Sequence, residues 1–296
     1  MPVCVADRHF LFCRDMYPSI ELFGKTIGLY SVCAIIGMAA AVVFFIVRRS
    51  GTGLEGFDIP IFALSVGAGL LVGGHLLYGI TNYSLLLRTL SAVGRISTGT
   101  FFSALGVIFG GSVFYGGMIG SVIGMEIYMK ARKLLPDRKS AIRDVYACAI
   151  PLFHAFGRVG CFLGGCCYGI ESSFGFIVHG NEYSPEINDV RRFPTPLLES
   201  ALNVCLFIFL LILLRRGKFR GSLLLVYGVT YPVIRFFDEF LRGDEIRGFI
   251  WKLSTSQWIS VVIFIISLVL LIVKARRPEN APEAAPATAP ETLTET

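Results

Sequence analysis

The sequence predicts an all-α integral membrane protein of about seven transmembrane helices, with its N-terminus outside the cytoplasm and its C-terminus inside. Three observations carry that expectation. Of 296 residues, 54% are hydrophobic and 16% charged, with a mean hydropathy of +0.67, whereas a soluble domain carries about a quarter charged residues. The charge is missing from several long runs and gathered between them, as a chain crossing a bilayer requires. The Lys and Arg residues then fall mostly on alternate loops, which sets orientation.

About twenty apolar residues span a bilayer as a helix. The first run goes from about Thr26 to Val47 and stops at Arg48-Arg49. The second covers about Ile59 to Tyr78, and the third about Phe101 to Met129, ending at Lys130. The third is long enough that its start, Phe101 to Gly111, reads as re-entrant or tilted. The fourth runs from about Val145 to Leu163, the fifth from Pro196 to Leu214, the sixth from Ser222 to Leu241 and the seventh from Gln257 to Val273. The first run starts too late for a cleavable leader and has no small-residue cleavage site after it. Residues 1–25 are thus expected to form an extracytoplasmic segment, 26–274 the membrane domain and 275–296 a disordered cytoplasmic tail rich in Ala, Pro, Glu and Thr. The loop 164–193, rich in Gly, aromatic and polar residues, is expected to form a small extracytoplasmic head between spans four and five.

Fifteen of the 27 Lys and Arg lie on one side, in the stretches Arg48-Arg49, Lys130 to Arg143, Arg215 to Arg220 and Lys274 to Arg277. Ten lie on the other, and Arg158 and Arg235 lie within spans. The richer side is the cytoplasm. The net charge of +6 therefore reflects loop bias, and no nucleic-acid partner is expected. The spans show no internal repeat and few polar residues, which argues against a transporter. Among the eight cysteines, Cys33, Cys148 and Cys205 lie in apolar runs, where a thiol behaves as a small hydrophobe. Cys4 and Cys13 could pair in an oxidising compartment, and Cys161, Cys166 and Cys167 form a cluster.

A charge inside a span is costly and reads as functional. Arg158 sits in His154-Ala-Phe-Gly157-Arg158-Val-Gly160-Cys161 and Arg235 in Tyr231-Pro-Val-Ile-Arg235-Phe-Phe-Asp238-Glu239-Phe-Leu-Arg242. Tyr231, Arg235 and Glu239 recur every four residues and share one helix face. Two arginines with tyrosines nearby suit a lipid phosphate, because a guanidinium forks onto phosphate oxygens. The bland alternative is internal pairing, Arg235 with Glu239, and Arg158 with Asp238 or Glu199. Glu126 stands four residues before Lys130, and an i,i+4 pair accounts for it. Gly73-Gly74 precedes His75, and Gly116-Gly117 follows Tyr115. Small residues let helices approach closely in lipid, which leaves the neighbouring His and Tyr unexplained.

In these features, from about Ile27 to Val273, the chain resembles the bacterial prolipoprotein diacylglyceryl transferase family. Its most specific part is Gly157-Arg158-Val-Gly160-Cys161-Phe162-Leu-Gly164-Gly165-Cys166-Cys167-Tyr168-Gly169, similar to a family signature that opens Gly-Arg-x-Gly-Asn-Phe and closes on Gly. Arg192-Phe-Pro194-Thr195-Pro-Leu197-Leu-Glu199, and Tyr231 through Arg235 to Glu239 and Arg242, are further matches. The chain departs where the family's third-span His-Gly-Gly reads Tyr115-Gly116-Gly117, where the signature Asn is Cys161, where Gly-Gly-Arg is Gly73-Gly74-His75, and where the first-span Tyr is Ile27.

The resemblance implies a multi-pass enzyme of the bacterial plasma membrane, working within the lipid bilayer. Such an enzyme moves the diacylglyceryl group of phosphatidylglycerol onto the lipobox cysteine thiol of a preprolipoprotein signal peptide. It implies Arg158 and Arg235 as neutralisers of the leaving phosphate, with Tyr115 keeping an orienting hydrogen bond and His154 or His75 handling the proton. Gly116, Gly117, His75, Cys161, Tyr231, Glu239, Arg242 and Glu199 are the implied substrate contacts. A transferase with another acceptor and a non-catalytic lipid-binding relative are the alternatives. The three thiols with His154 offer a Cys₃His donor set for zinc, against which the adjacency of Cys166 and Cys167 counts. Cys161 is expected to be a packing residue, and neither metal nor cofactor is expected.

Overall fold

No water satisfies backbone groups in hydrocarbon, so a spanning chain must close its hydrogen bonds within itself, and helices do so segment by segment. A computed structural model describes residues 19–22, 25–92, 97–178, 185–243 and 249–276, and these are mostly helical. The Cys4–Cys13 pairing and the tail beyond Arg276 lie outside the described residues, as does most of the 1–25 segment. A hairpin of β1 (Ser19–Leu22) and β2 (Lys25–Gly28) leads into α1 (Leu29–Arg48). The helix starts at Leu29 rather than Thr26, because β-branched Thr26 and Ile27 join the strand and Gly28 is extended at the N-cap.

Next come α2 (Asp58–Thr81) and α3 (Tyr83–Ser91), then α4 (Thr98–Phe109) and α5 (Phe114–Ala131). The nine residues of α3 interleave leucines with Ser, Arg and Thr and so resemble no span in the sequence. The third apolar run divides at a 90° bend between α4 and α5. Gly110 and Gly111 each cost a helix about 1 kcal/mol relative to Ala, and α2 closes groups that the break frees. His75 Nδ1 lies 2.8 Å from the carbonyls of both Phe109 and Gly111. Carbonyls only accept, so Nδ1 carries the ring proton. The Val113 N–H donates to the Gly74 carbonyl at 3.1 Å.

The helix α6 (Pro136–Leu163) starts well before Val145, with Pro136 in the first turn, where no N–H is needed. After it, β3 (Glu171–Ile177) pairs with β4 (Arg191–Arg192). Then come α7 (Thr195–Arg215), α8 (Leu223–Asp238) with a 3-10 turn at Glu239–Leu241, a hairpin of β5 (Phe249–Ile250) and β6 (Leu253–Ser254), and α9 (Thr255–Arg276).

Five of these helices, α1, α2, α6, α7 and α9, are long and apolar enough to cross a membrane, and the bent α4–α5 pair makes a sixth if taken as one span. The count by length and composition therefore falls short of seven. With sixteen residues, α8 is about 24 Å long against a hydrocarbon core of about 30 Å, and it tightens to 3-10 at Glu239. Apolar side chains such as Ile35, Leu64, Val72 and Ile265 point outward, as lipid-facing residues do.

The helices pack as α2 on α5, α1 on α6, α6 on α7 and α8 on α9. Glycine makes the first seam. A Cβ at Gly73 would fall on the Gly116 backbone, and one at Gly69 or Gly120 on the other's carbonyl. At the end of the bundle where α5 meets the start of α6, Glu126 pairs with Arg143 and not with Lys130: Nε and Nη2 fork onto the two carboxylate oxygens at 2.6 and 2.7 Å, a bidentate geometry that lysine cannot make. Near it, the Asp144 carboxylate accepts the backbone N–H groups of Gly221 (2.5 Å) and Leu223 (3.0 Å), capping the start of α8.

Candidate functional site

Five helices, α5 to α9, bring polar side chains together inside the bundle. Glu199 of α7 is the hub and is fully buried. Arg158 Nε of α6 lies 2.9 Å from Glu199 Oε2 and directs its N–H at His154 Nε2, 3.2 Å away. His154 stands one helical turn before Arg158, so the two share a face. Arginine only donates, so Nε2 is an acceptor and the His154 proton sits on Nδ1. Tyr231 of α8 donates its hydroxyl to Glu199 Oε1 at 3.3 Å. Asn203, one turn along α7, donates to the Glu199 carbonyl at 2.8 Å.

Arg235 of α8 takes a different set of acids. It bonds Asp238 Oδ2 at 3.1 Å, pairs with Glu239, and reaches Ser256 Oγ of α9 at 3.5 Å. These are the internal pairs named by the bland alternative, Arg235 with Glu239 and Arg158 with Glu199. Burying unpaired guanidinium groups is prohibitive, and here each has a carboxylate.

An aromatic wall closes the cluster. Phe114 stacks on the His154 ring at 3.7 Å and 12°, and Tyr231 lies parallel to Tyr227 at 5.4 Å. Tyr115 stands 6.0 Å from Tyr231, ring to ring, and its hydroxyl is 2.5 Å from Ser260 Oγ. Ser260 gives its own proton to the Ser256 carbonyl at 2.8 Å, so Tyr115 is the donor. Tyr115 thus ties α5 to α9 beside the cluster.

The other candidates separate from this group. Gly116 faces the Gly73 backbone and Leu77, and Gly117 faces the Leu70 carbonyl 3.2 Å from where its Cβ would lie, so α2 covers both. His75 holds the α4–α5 bend. Arg242 forms a bridge with Gly169, at the joint between the 3-10 turn after α8 and the strand-bearing segment after α6. Asn203, Ser256, Ser260 and Tyr30 went unmarked in the sequence. Asn203 had a signal, a lone amide in the apolar α7. Tyr30 had one too, a tyrosine three residues past Ile27. Its Cα would lie 3.2 Å from a Cβ on Gly160, which sets α1 against the Arg158 stretch of α6.

Those cysteines do not behave as separate packing residues. The Sγ atoms of Cys161, Cys166 and Cys167 all lie within 4.8 Å of one another, and none is in a disulfide. Hydrogen bonding from Cys161 and then Cys166, with Arg242 and Arg158 nearby, holds the Cys167 thiol well below the usual range. His154 is not a fourth member: neither of its ring nitrogens joins the three sulfurs in that group. Arg158 Nη1 is 3.9 Å from Cys161 Sγ, so the outer edge of the guanidinium turns to the sulfurs while Nε turns to Glu199.

Residues 19–273 match the prolipoprotein diacylglyceryl transferase family. The phosphatidylglycerol–prolipoprotein diacylglyceryl transferase 2 of Clostridium perfringens is 34% identical over 83% of this chain and 90% of its own length. Its counterpart in Clostridium tetani is 31% identical, over 84% and 93%, and that of Helicobacter hepaticus 29%, over 82% of each chain. The chain belongs to the prolipoprotein diacylglyceryl transferase family.

Proposed function

We propose that this protein transfers the diacylglyceryl group of phosphatidylglycerol to the lipobox cysteine thiol of a preprolipoprotein, in the bacterial plasma membrane. The named activity of relatives that span nearly their whole length supports this reaction. The observation that carries the reading is the two-sided bonding of Arg158. Its Nε is held by Glu199 and His154, while among the described residues Nη1 meets the Cys161 sulfur, at 3.9 Å. That leaves the forked edge without a carboxylate and able to take a phosphate.

In this reaction the acceptor sulfur attacks the glycerol carbon, the carbon–oxygen bond to phosphate breaks, and glycerol phosphate leaves with the electron pair. Arg158 stabilises the charge on the leaving group. Arg235 acts beside it, and Glu199, His154 and Tyr231 hold Arg158 in place. Tyr115 fixes α9 against the site. We take α8 with its 3-10 turn, and the bent α4–α5 pair, as spans six and three of a seven-span chain. The N-terminal segment and the 164–193 head then lie outside, and the 275–296 tail inside.

The test is complementation of a strain depleted of its own diacylglyceryl transferase, with mass analysis of a reporter lipoprotein. A diacylglyceryl adduct on the lipobox cysteine is expected, and Arg158→Gln should lower transfer by roughly a hundredfold or more in a protein that still inserts. An unmodified reporter beside well-inserted protein would exclude the reaction.

A further inference from the structure

The three cysteines after α6 form a donor set that the transfer chemistry leaves unused. We propose that Cys161, Cys166 and Cys167 hold a thiophilic divalent cation of the zinc class through three thiolates, and that its fourth position takes the acceptor's thiol. The second half rests on the transferase reading.

The backbone builds this site. Gly164 ends α6, and Gly165 follows in the left-handed region at φ +67°. The Cys166 N–H returns to the Cys161 carbonyl and the Gly165 N–H to the Phe162 carbonyl, both at 3.1 Å. This is the paired bonding of a Schellman turn, which brings together the side chains three before and two after the helix cap. Here those side chains are Cys161 and Cys166. Cys167 is itself left-handed at φ +60°, a conformation that a non-glycine residue rarely adopts, and its sulfur joins the other two within 4.8 Å. Adjacent cysteines cannot easily share an ion in ordinary extended or helical backbone. The turn at Cys167 removes that objection.

The chemistry selects the ion. Three sulfurs, with no carboxylate or imidazole in the group, favour soft or borderline cations over magnesium or calcium. Zinc–sulfur bonds of about 2.3 Å put tetrahedral sulfurs about 3.8 Å apart, so a small closure completes the set. Three protein ligands with an open position is the arrangement of reactive zinc, not of structural zinc, and a thiol bound there is deprotonated outright. Its place fits as well. Arg158 Nη1 lies 3.9 Å from Cys161 Sγ, so the sulfur donor set adjoins the phosphate edge of Arg158. Cys166 also lines an apolar pocket with Phe162, Tyr168, Phe176 and Phe193, suited to the apolar residues of a signal peptide. On binding, the acceptor releases its proton to water. The bound sulfur then forms the sulfur–carbon bond as the carbon–oxygen bond to phosphate breaks, and the leaving group keeps the pair.

The experiment uses the reduced full chain in detergent and cobalt(II) as the probe, read by the sulfur-to-cobalt charge-transfer band. One cobalt per chain is expected. Cys161→Ser and Cys166→Ser should lose the band, and Cys205→Ser should keep it. Cys166 is exposed, so its variant preserves the test if Cys161→Ser fails to fold. A lipobox peptide should change the band when it carries cysteine and leave it alone when that cysteine is serine. No band from the reduced chain would overturn the site, as would a disulfide within the cluster when the chain is alkylated without prior reduction. A band blind to the cysteine peptide would overturn the acceptor role. Cobalt binding needs no phospholipid, so the two readings fail separately. Full transfer by a metal-stripped chain removes the metal and keeps the transferase, whereas a responsive band without transfer from phosphatidylglycerol does the reverse.

Discussion

Two groups of arginine–carboxylate pairs sit at different depths in this molecule. At the end where α5 meets the start of α6, Arg132 pairs with Asp58 at 2.5 Å and Arg143 with Glu126 at 2.6 Å, with the Arg132 side chain 54% exposed. Inside the bundle, Arg158 pairs with Glu199 and Arg235 with Asp238, and both acids are fully buried. The distances are alike and the energetics are not. Exposed pairs contribute about 0–1 kcal/mol and are screened by salt. Buried pairs roughly break even against their desolvation, so they are weak evidence for stability. Arginines and carboxyl groups kept in the interior of an apolar bundle point to chemistry, and the shallow pairs to orientation and solubility.

Substitutions can break that contrast. The largest expected effect is on activity: Arg235→Gln should cut diacylglyceryl transfer by roughly a hundredfold, while Arg143→Gln leaves it within a factor of two or so. Equal losses would show that depth does not separate the two groups. Next is Glu199→Gln, which strands Arg158 and should destabilise by about 3–5 kcal/mol, seen in thermal unfolding in detergent. Glu126→Gln should lose no more than about 1 kcal/mol, and less at high salt. Gly73→Leu should separate α2 from α5 and release the His75 hold on the bend, giving a loss of folded protein comparable to Glu199→Gln. Tyr115→Phe removes one hydrogen bond to Ser260 and should cost about 1 kcal/mol, with only a modest drop in transfer. A collapse of transfer in Tyr115→Phe would instead put its hydroxyl on the reacting atoms.

Much of this architecture could be read from residue order. The apolar runs marked α1, α2, α6, α7 and α9, because a bilayer demands long stretches without charge. The i,i+4 spacing of Arg235 and Glu239 put them on one face, and they pair. Where a partner lies on another helix, spacing is silent. Glu126 had Lys130 within reach on its own helix, and Arg143 took it by offering a fork. Arg158 had two candidate acids, and only the packing of α6 on α7 chose Glu199. The bend after Phe109 had its glycines in view, but His75, which closes it, sits far away in the sequence.

By itself, then, the sequence determined a helical membrane protein, its family, and the two interior arginines, because hydropathy and motif are properties of a linear chain. Tertiary structure alone decided which acid holds which arginine, that Gly116 and His75 serve helix packing, and that Tyr30 and Asn203 border the site. It also decided that three cysteines meet. Their convergence depends on two left-handed residues in one turn, and backbone handedness at a cysteine is not written in its identity.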